Sequence, residues 1–413
     1  MLVFVLNRNN QPLMPCSPSK ARKLLKEGSA RVKHKFPFTI KLIYGSSGYK
    51  QNLTAGMDTG SKNIGTAVVD PKGRVVYQAN TILRGEEIKR KMETRSMYRR
   101  SRRGRKTRYR KPRWNNRSAS RKIGRLAPSI KHKVDAHSKE KNFVESILPI
   151  SKWRVELTNF DIHAISNPDV SKIKWWTYQR GEMYGYQNLK QYILDRDGYS
   201  CKSCKKGSKQ NIELQVHHII FRSSGGTDTK NNLITLCKPC HDKLHKRKDA
   251  QKESMKLKTK VIKNTKHATE TNIISSQLRK NFAEFEETFG FITKIDRQNL
   301  KLEKDHYIDA AVIASRGNLI ELNEKPFVRR YVSKGDYQQT KGIRSERKIP
   351  TGKLFGLRKF DLIKTSKGVG FVKGKRSTGY FAISDIFGNK VSDGANVKKD
   401  SSRIQARRTV IIQ

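Results

Sequence analysis

The chain has 413 residues, and its 89 Lys and Arg against 36 Asp and Glu leave a net charge of +53, on a length that suggests roughly three domains. One uncompensated positive charge about every eight residues repels itself in a compact fold, which points to a polyanionic partner, nucleic acid before any other. The apolar share falls below that of ordinary globular chains, yet aromatic and β-branched residues are plentiful enough for real cores, which excludes full disorder, and no apolar run approaches the roughly 18 residues of a membrane span, so no membrane partner and a cytosolic location are expected.

The opening MLVFVLNRNNQ turns polar after six apolar residues and lacks a basic start and a small-residue cleavage site, so it reads as a strand rather than a secretory leader. LVFVLN, SKARKLLKEGSARV and PFTIKLIYG then predict strand, short basic helix and strand, with a boundary from Gly45 to Gly48. LTAGMDTGSKNIGTAVVD and GRVVYQANTIL predict three antiparallel strands joined by tight turns, with Asp58 at the end of the first. From Arg84 to Arg125 the chain becomes Arg-rich, its first half a helix interrupted near Gly104 and stopped by Pro112. PSIKHKVDAHSKEKNFVESILP has helical spacing at Ile130, Val134, Val144, Ile147 and Leu148, and leads into WRVEL, a short strand ending at Glu156. After an aromatic, polar connector, a segment rich in Cys and His, from Gln187 to Lys248, has its own turn signals and reads as an inserted domain. A Lys-rich linker precedes a predicted helix NIISSQLRKNFAEFEETF, a strand GFITKI and a helix KDHYIDAAVIAS. From about Pro326 the remainder is basic and Gly-rich, with short alternating segments that predict a small β-barrel or sheet. No internal repeat is evident.

Cys201/Cys204 and Cys237/Cys240 form two CxxC pairs, the spacing of a closed tetrahedral zinc site that staples distant segments and performs no chemistry. Cys16 stands alone as a free thiol. Between and just after the pairs lie His217, His218, Asn232, His241 and His245, the last two four apart and so on one helix face. A ββα-metal nuclease needs these types: ligands for one divalent ion, a histidine to take a proton from water, and an Asn that orients the loop or ligates. An imidazole with its usual pKa near ~6.5, such as that of His218, suits general-base work near neutrality. These residues resemble the HNH endonuclease family. The resemblance implies that His217 and His241 ligate the metal, His218 is the base and Asn232 the central Asn, with His245 matching an extra histidine of colicin-type members.

A second set is spread along the chain. Asp58, Glu156 and Asp309, with His306 one helical turn before Asp309, could converge on one sheet edge and hold two Mg²⁺ ions about 3.5–4 Å apart that activate water and stabilise a leaving oxygen. Gly60 leaves room for the backbone to approach phosphate. The pattern resembles a RuvC-like nuclease, an RNase H fold split into three parts, which implies that Asp58, Glu156 and Asp309 are metal-binding carboxylates and that His306 activates water or contacts phosphate. In the Arg-rich stretch, Arg95, Arg99, Arg100, Arg102, Arg103, Arg105, Arg108 and Arg110 supply guanidinium groups for phosphates, and Tyr98, Tyr109 and Trp114 offer rings on which bases can stack.

With Pro12-Leu13-Met14-Pro15 near the start, GMDTGSKNIG, the HNH cluster and DHYIDA, the whole layout resembles the IscB family of transposon-associated, RNA-guided DNA nucleases. The resemblance implies an α+β multidomain chain: a PLMP module (1–50), RuvC-like part I (51–83), an Arg-rich bridge helix (84–126), part II (127–160), a linker (161–186), an HNH domain with its four-cysteine zinc site (187–248), part III (249–324) and a basic β-rich C-terminal domain (325–413). It further implies a structured guide RNA held by the N-terminal module, bridge helix and tail in a ribonucleoprotein with one protein chain in the prokaryotic cytoplasm. The double-stranded DNA target would be read beside a short adjacent motif by the C-terminal domain. The HNH site would then cut the guide-paired strand and the RuvC-like site the displaced one, both with Mg²⁺. Two other classes compete: an unguided HNH endonuclease of the homing or restriction kind on a degenerate RNase H-like scaffold, and a non-catalytic basic RNA-binding zinc protein.

Overall fold

In the computed structural model, residues 2–45, 47–104, 124–162, 165, 183–207, 212–224, 226, 228–247, 249–257, 265–322, 325–333, 356–376, 379–396 and 401–413 are described. The chain divides into two compact units, 1–159 with 270–413, and 160–269.

The first unit begins with a four-stranded sheet. β1 (Val3–Leu6), β2 (Pro12–Cys16), β3 (Ala30–His34) and β4 (Thr39–Leu42) lie in the order β2-β1-β4-β3, and Val3, Val5, Leu13, Ala21 and Ile40 form its core. The predicted helix is shorter than its sequence segment. It spans Pro18–Lys26, capped by Ser17, whose hydroxyl accepts from the Lys20 amide. Gly28 then takes a φ of +71°, where a side chain is disfavoured, and the chain leaves the helix to enter β3.

β5 (Leu53–Thr59), β6 (Asn63–Val69) and β7 (Val75–Ile82) make the predicted antiparallel meander. The Arg-rich helix Gly85–Gly104 follows, with Glu86 and Glu87 in its first turn where they complement the helix dipole. Arg95, Arg99 and Arg100 are exposed on it, and Arg102 and Arg103 belong to its last turn. Arg105, Arg108, Arg110, Tyr109 and Trp114 lie outside the described residues. The helix Pro128–Glu145 buries Val134, Ala136 and Val144 in the main core with Ile147 and Leu148, and β8 (Ile150–Glu156) pairs parallel to β5.

The inserted unit holds β9 (Leu214–His218) and β10 (Leu233–Cys237), an antiparallel pair with Ile234 opposite His217 and Leu233 opposite His218. The helices Leu189–Arg196, Lys238–His245 and Ala250–Lys256 belong to the same unit, so it continues beyond the segment in which Cys and His cluster.

The helix Lys266–Asn281, which begins at the end of the insertion, starts before and stops short of NIISSQLRKNFAEFEETF, whose end instead forms β11 (Glu286–Thr288), parallel to β8. GFITKI is not a strand. It opens the helix Gly290–Asn299, because Phe291, Ile295 and the polar residues through Asn299 continue a helical period that six residues viewed alone conceal. β12 (Phe327–Tyr331) pairs parallel to β7, and β13 (Leu362–Thr365), β14 (Gly368–Lys375), β15 (Tyr380–Ser384), β16 (Lys390–Asn396) and β17 (Ser401–Gln405) make a separate five-stranded sheet in the order β16-β15-β14-β13-β17. β18 (Val410–Ile412) returns to pair with β12. Two segments of the basic tail thus complete a seven-stranded sheet, order β11-β8-β5-β6-β7-β12-β18.

The helix His306–Ser315 lies on β5 and β6 through Ala310, Ala311 and Ala314, packed with Ala67, Val69 and Val75. Gly56 and Gly65 permit this approach, since a Cβ on either would overlap the Ala310 or His306 carbonyl oxygen. Among the described residues no helix is long and apolar enough to cross a membrane.

Candidate nuclease centres

The seven-stranded sheet brings Asp58 and Glu156 together by register: parallel neighbours β5 and β8 place the two residues side by side at their C-terminal ends. Neither strand is at the edge of the sheet, so the cluster lies at a sheet end rather than along its edge. Asp305 caps the following helix by accepting from the His306 amide, and its Oδ1 also accepts from Asn80 Nδ2 at 2.8 Å. That cap fixes the first turn, from which His306 Nδ1 approaches Asp58 Oδ2 to 2.6 Å. Asp309, one turn on, forms an ion pair with Arg297, Nε to Oδ1, at 2.7 Å. Thr293 donates its hydroxyl to Glu156 Oε2 at 2.7 Å.

Electrostatics follow from this crowding. Burial, reinforced by Asp58 and Asp309 and opposed by the Thr293 hydrogen bond, raises the Glu156 carboxyl to about 7. Burial and Asp58 raise Asp309 as well, against the pull of Arg297. The hydrogen bond to Asp58 holds His306 above its ordinary value, despite burial. Two acids, Glu156 and Asp309, whose carboxyls burial and the neighbouring Asp58 push upward form with it a set that a cation relieves. Gly60 has a different reason from phosphate access, because a Cβ there would overlap the Asn63 carbonyl oxygen within the β5–β6 turn.

In the inserted unit, His217, from β9, meets His241 and His245, from one face of the helix Lys238–His245, with their nitrogens all within 4.8 Å of one another. His217 is buried, its Nε2 3.0 Å from Ser254 Oγ, and the Phe221 ring stacks on His245 at 5.0 Å. Burial and the two neighbouring histidines lower His217 to about 4, so it stays neutral with a lone pair to offer. His218, next on β9, lines the same cavity as the three histidines; its Nε2 lies 2.6 Å from Asp228 Oδ1, and Arg222 Nη2 pairs with the same oxygen at 2.8 Å. Asn232 does not join the histidines. Its Oδ1 accepts from the Ile220 amide at 2.7 Å and its Nδ2 donates to the Ile220 carbonyl at 3.0 Å, clamping the loop after β9. Of the two roles open to Asn232, the geometry is that of loop orientation.

The sulfurs of Cys201, Cys204, Cys237 and Cys240 also lie within 4.8 Å of one another, a set that could hold zinc. Burial opposes thiolate formation at Cys201, but amide donors from Cys204, Cys237 and Ser203 outweigh it and bring the thiol down to about 7. Among the described residues, these four and the three histidines are the groups whose donor atoms converge this closely. The acidic set is looser, each carboxylate being held by its own partner.

Asp228, Ser254, Thr293 and Arg297 carry no motif, and sequence reasoning passes over them. The one available signal is periodicity: Thr293 and Arg297, four apart on a helix, must share a face.

A strand pair and a helix bring three histidines together beside a fourth, and the HNH endonuclease family matches residues 201–247. The RRXRR protein family matches residues 3–181. Both modules lie on one chain, the combination of an IscB-like RuvC/HNH nuclease. The type IV methyl-directed restriction enzyme EcoKMcrA of Escherichia coli (strain K12) is 40% identical over 68 residues, 15% of this chain and 24% of that enzyme. Anaredoxin of Nostoc sp. is 34% identical over 63 residues, 15% of this chain and 79% of that protein. Two crystal structures of Streptococcus thermophilus Cas9, in complex with the GGAA PAM and the AGAA PAM, match with TM-scores of 0.34 and 0.36 at 13% and 12% identity. Each match covers 60% of this chain and 32% of that one. The chain thus spans about a quarter of the restriction enzyme and a third of each Cas9 chain.

Proposed function

We propose that the protein is an RNA-guided, metal-dependent DNA endonuclease of the prokaryotic cytoplasm that makes double-strand breaks. The observation that carries this reading is the presence on one chain of two separate nuclease-type clusters, His217–His218–His241–His245 and Asp58–Glu156–His306–Asp309. Guidance by RNA rests on the resemblance to the IscB-like nucleases and agrees with the charge of +53. The guide RNA binds the N-terminal module, the Arg-rich helix and the tail. The C-terminal domain reads a short motif beside the target, and base pairing supplies the remaining specificity.

His217, His241 and His245 have the donor chemistry for one divalent ion, and Asp58, Glu156 and Asp309 for Mg²⁺; bound ions would polarise the scissile phosphate and offset the charge that develops on the leaving oxygen. His218 takes the proton from the attacking water, with Asp228 fixing its ring through Nε2. Asn232 keeps the loop that carries Arg222 in register. At the other site His306 is held by Asp58 to face the scissile phosphate, Thr293 orients Glu156, and Arg297 balances the charge of Asp309. The four-cysteine set holds zinc and staples the HNH fold.

The test is strand-resolved nicking by the full chain purified with its co-expressed flanking RNA. His218→Ala should slow cutting of the guide-paired strand by about 10²–10⁴ while sparing the displaced strand. Asp58→Ala should do the reverse. Loss of both cuts from either change would sink the division of labour, and a smear of cellular RNA in place of one discrete species would favour an unguided nuclease.

A further inference from the structure

The helix Gly290–Asn299 turns Thr293 and Arg297 toward Glu156 and Asp309. Its opposite side is unusual for a solvent face. Phe291, Lys294, Ile295 and Gln298 fall at the i, i+3, i+4, i+7 spacing of one stripe, all exposed, with Phe291 at 65% and Ile295 at 52%. Phe289, just before the helix, is 43% exposed, and its ring lies almost parallel to that of Phe291, 11° apart in plane with centroids 6.1 Å apart. Between the two residues in the chain is Gly290, where a Cβ would come within 2.9 Å of Glu156 Oε1. The aromatic pair therefore starts at the carboxylate itself.

Ile292, 38% exposed, adjoins this stripe, but the paired flat rings and the lysine and amide beside them set the face apart from a plain aliphatic docking ridge. They match a single strand of nucleic acid, whose bases present π-faces at each step and whose phosphates seek cations. We propose that Phe289 and Phe291 form a base-stacking platform that holds single-stranded DNA beside the Asp58–Glu156–Asp309 cluster, with Lys294 on the backbone phosphate. This subsite rests on the reading that the acidic cluster cuts the displaced strand, and it gives that strand a reason to lie unpaired and extended where it is cut.

The experiment uses the full chain with its bound RNA, in buffer without added Mg²⁺ to prevent cutting, and a single-stranded oligonucleotide carrying one 5-iododeoxyuridine. Irradiation followed by peptide mapping should place an adduct on Phe289 or Phe291. The double variant Phe289→Ala/Phe291→Ala should lower that adduct about tenfold, whereas Phe291→Trp should keep it. With Mg²⁺ and duplex target, the double variant should raise KM for cutting the displaced strand by a similar factor, with kcat and the paired-strand cut little changed. Adducts confined to other peptides, or a double variant identical to the parent, overturn the platform. A double variant that loses self-association while its DNA adducts are unchanged assigns the face to a protein and overturns it too. A parent that leaves the displaced strand whole yet gives the Phe289 or Phe291 adduct refutes the nuclease assignment and supports the platform.

Discussion

His137 shows how a single residue ties the fold to pH. It is fully buried in the helix Pro128–Glu145, its Nδ1 2.8 Å from the Lys133 carbonyl, and burial lowers it to about 4 from an ordinary 6.5. Because the folded-state value is the lower one, the unfolded chain binds the extra proton between those values, and stability falls as pH drops from 6.5 towards 4. The loss from this residue is about 2 kcal/mol at pH 5 and approaches about 3 kcal/mol below pH 4. His132 and His217 are lowered in the same sense, so the informative comparison is between variant and parent. His137→Leu should flatten the fall in thermal midpoint between pH 7 and pH 5, and a variant whose midpoint falls as steeply as the parent's would refute the assignment. Nothing in the chain marks His137 as different from His218. The difference lies in surroundings that only the fold supplies, and the same holds for Asp228, Thr293 and Arg297, whose partners are distant or unpatterned.

At the scale of elements, what was legible depended on whether the signal was local. The meander β5–β7, the strand ending at Glu156 and the helix beginning at His306 each announce themselves by alternation, periodicity or a capping Asp. GFITKI misleads because six residues cannot separate a strand from the first turns of a helix, and the tail hides that β12 and β18 belong to the large sheet, since pairing partners far apart in sequence leave no local trace. The glycines are more informative than they look. Gly65 in GSKNIG reads as hairpin punctuation, yet its work is to let the His306 carbonyl approach β6. Gly65→Ala should therefore lift the first turn of that helix and carry His306 away from Asp58. The expected cost is about 3 kcal/mol, at the upper end for overpacking, with cutting of one strand lost and the paired-strand cut retained. Gly73→Ala is no control, being itself at positive φ, whereas Gly374, with open space around it, is. Equal effects of Gly65→Ala and Gly374→Ala on thermal midpoint and nicking would refute the close-approach argument.

The molecule as a whole is built as an insertion. β5 to β8 come from before the inserted unit and β11, β12 and β18 from after it, so one sheet closes over a chain interrupted by residues 160–269. That unit has a small core, Cys201, Ile219, Ile234, Leu236, Cys237 and Leu244, in which two of the six residues are themselves members of the four-cysteine set. A core of this size depends on a staple, and structural zinc contributes on the order of 10–16 kcal/mol in zinc-finger peptides. Chelation, or Cys204→Ser, should then melt the inserted unit alone. Two calorimetric transitions are expected in the parent and one after zinc removal. Limited proteolysis should cut within 160–269 and leave the flanking fragments 1–159 and 270–413 associated through the seven-stranded sheet. Cutting of the paired strand should vanish with the unit, because His217, His241 and Asn232 lose the strand pair and helix that hold them. Fragments that separate on chelation, or an inserted unit as protease-resistant without zinc as with it, would show that the sheet or the staple carries less than this architecture requires.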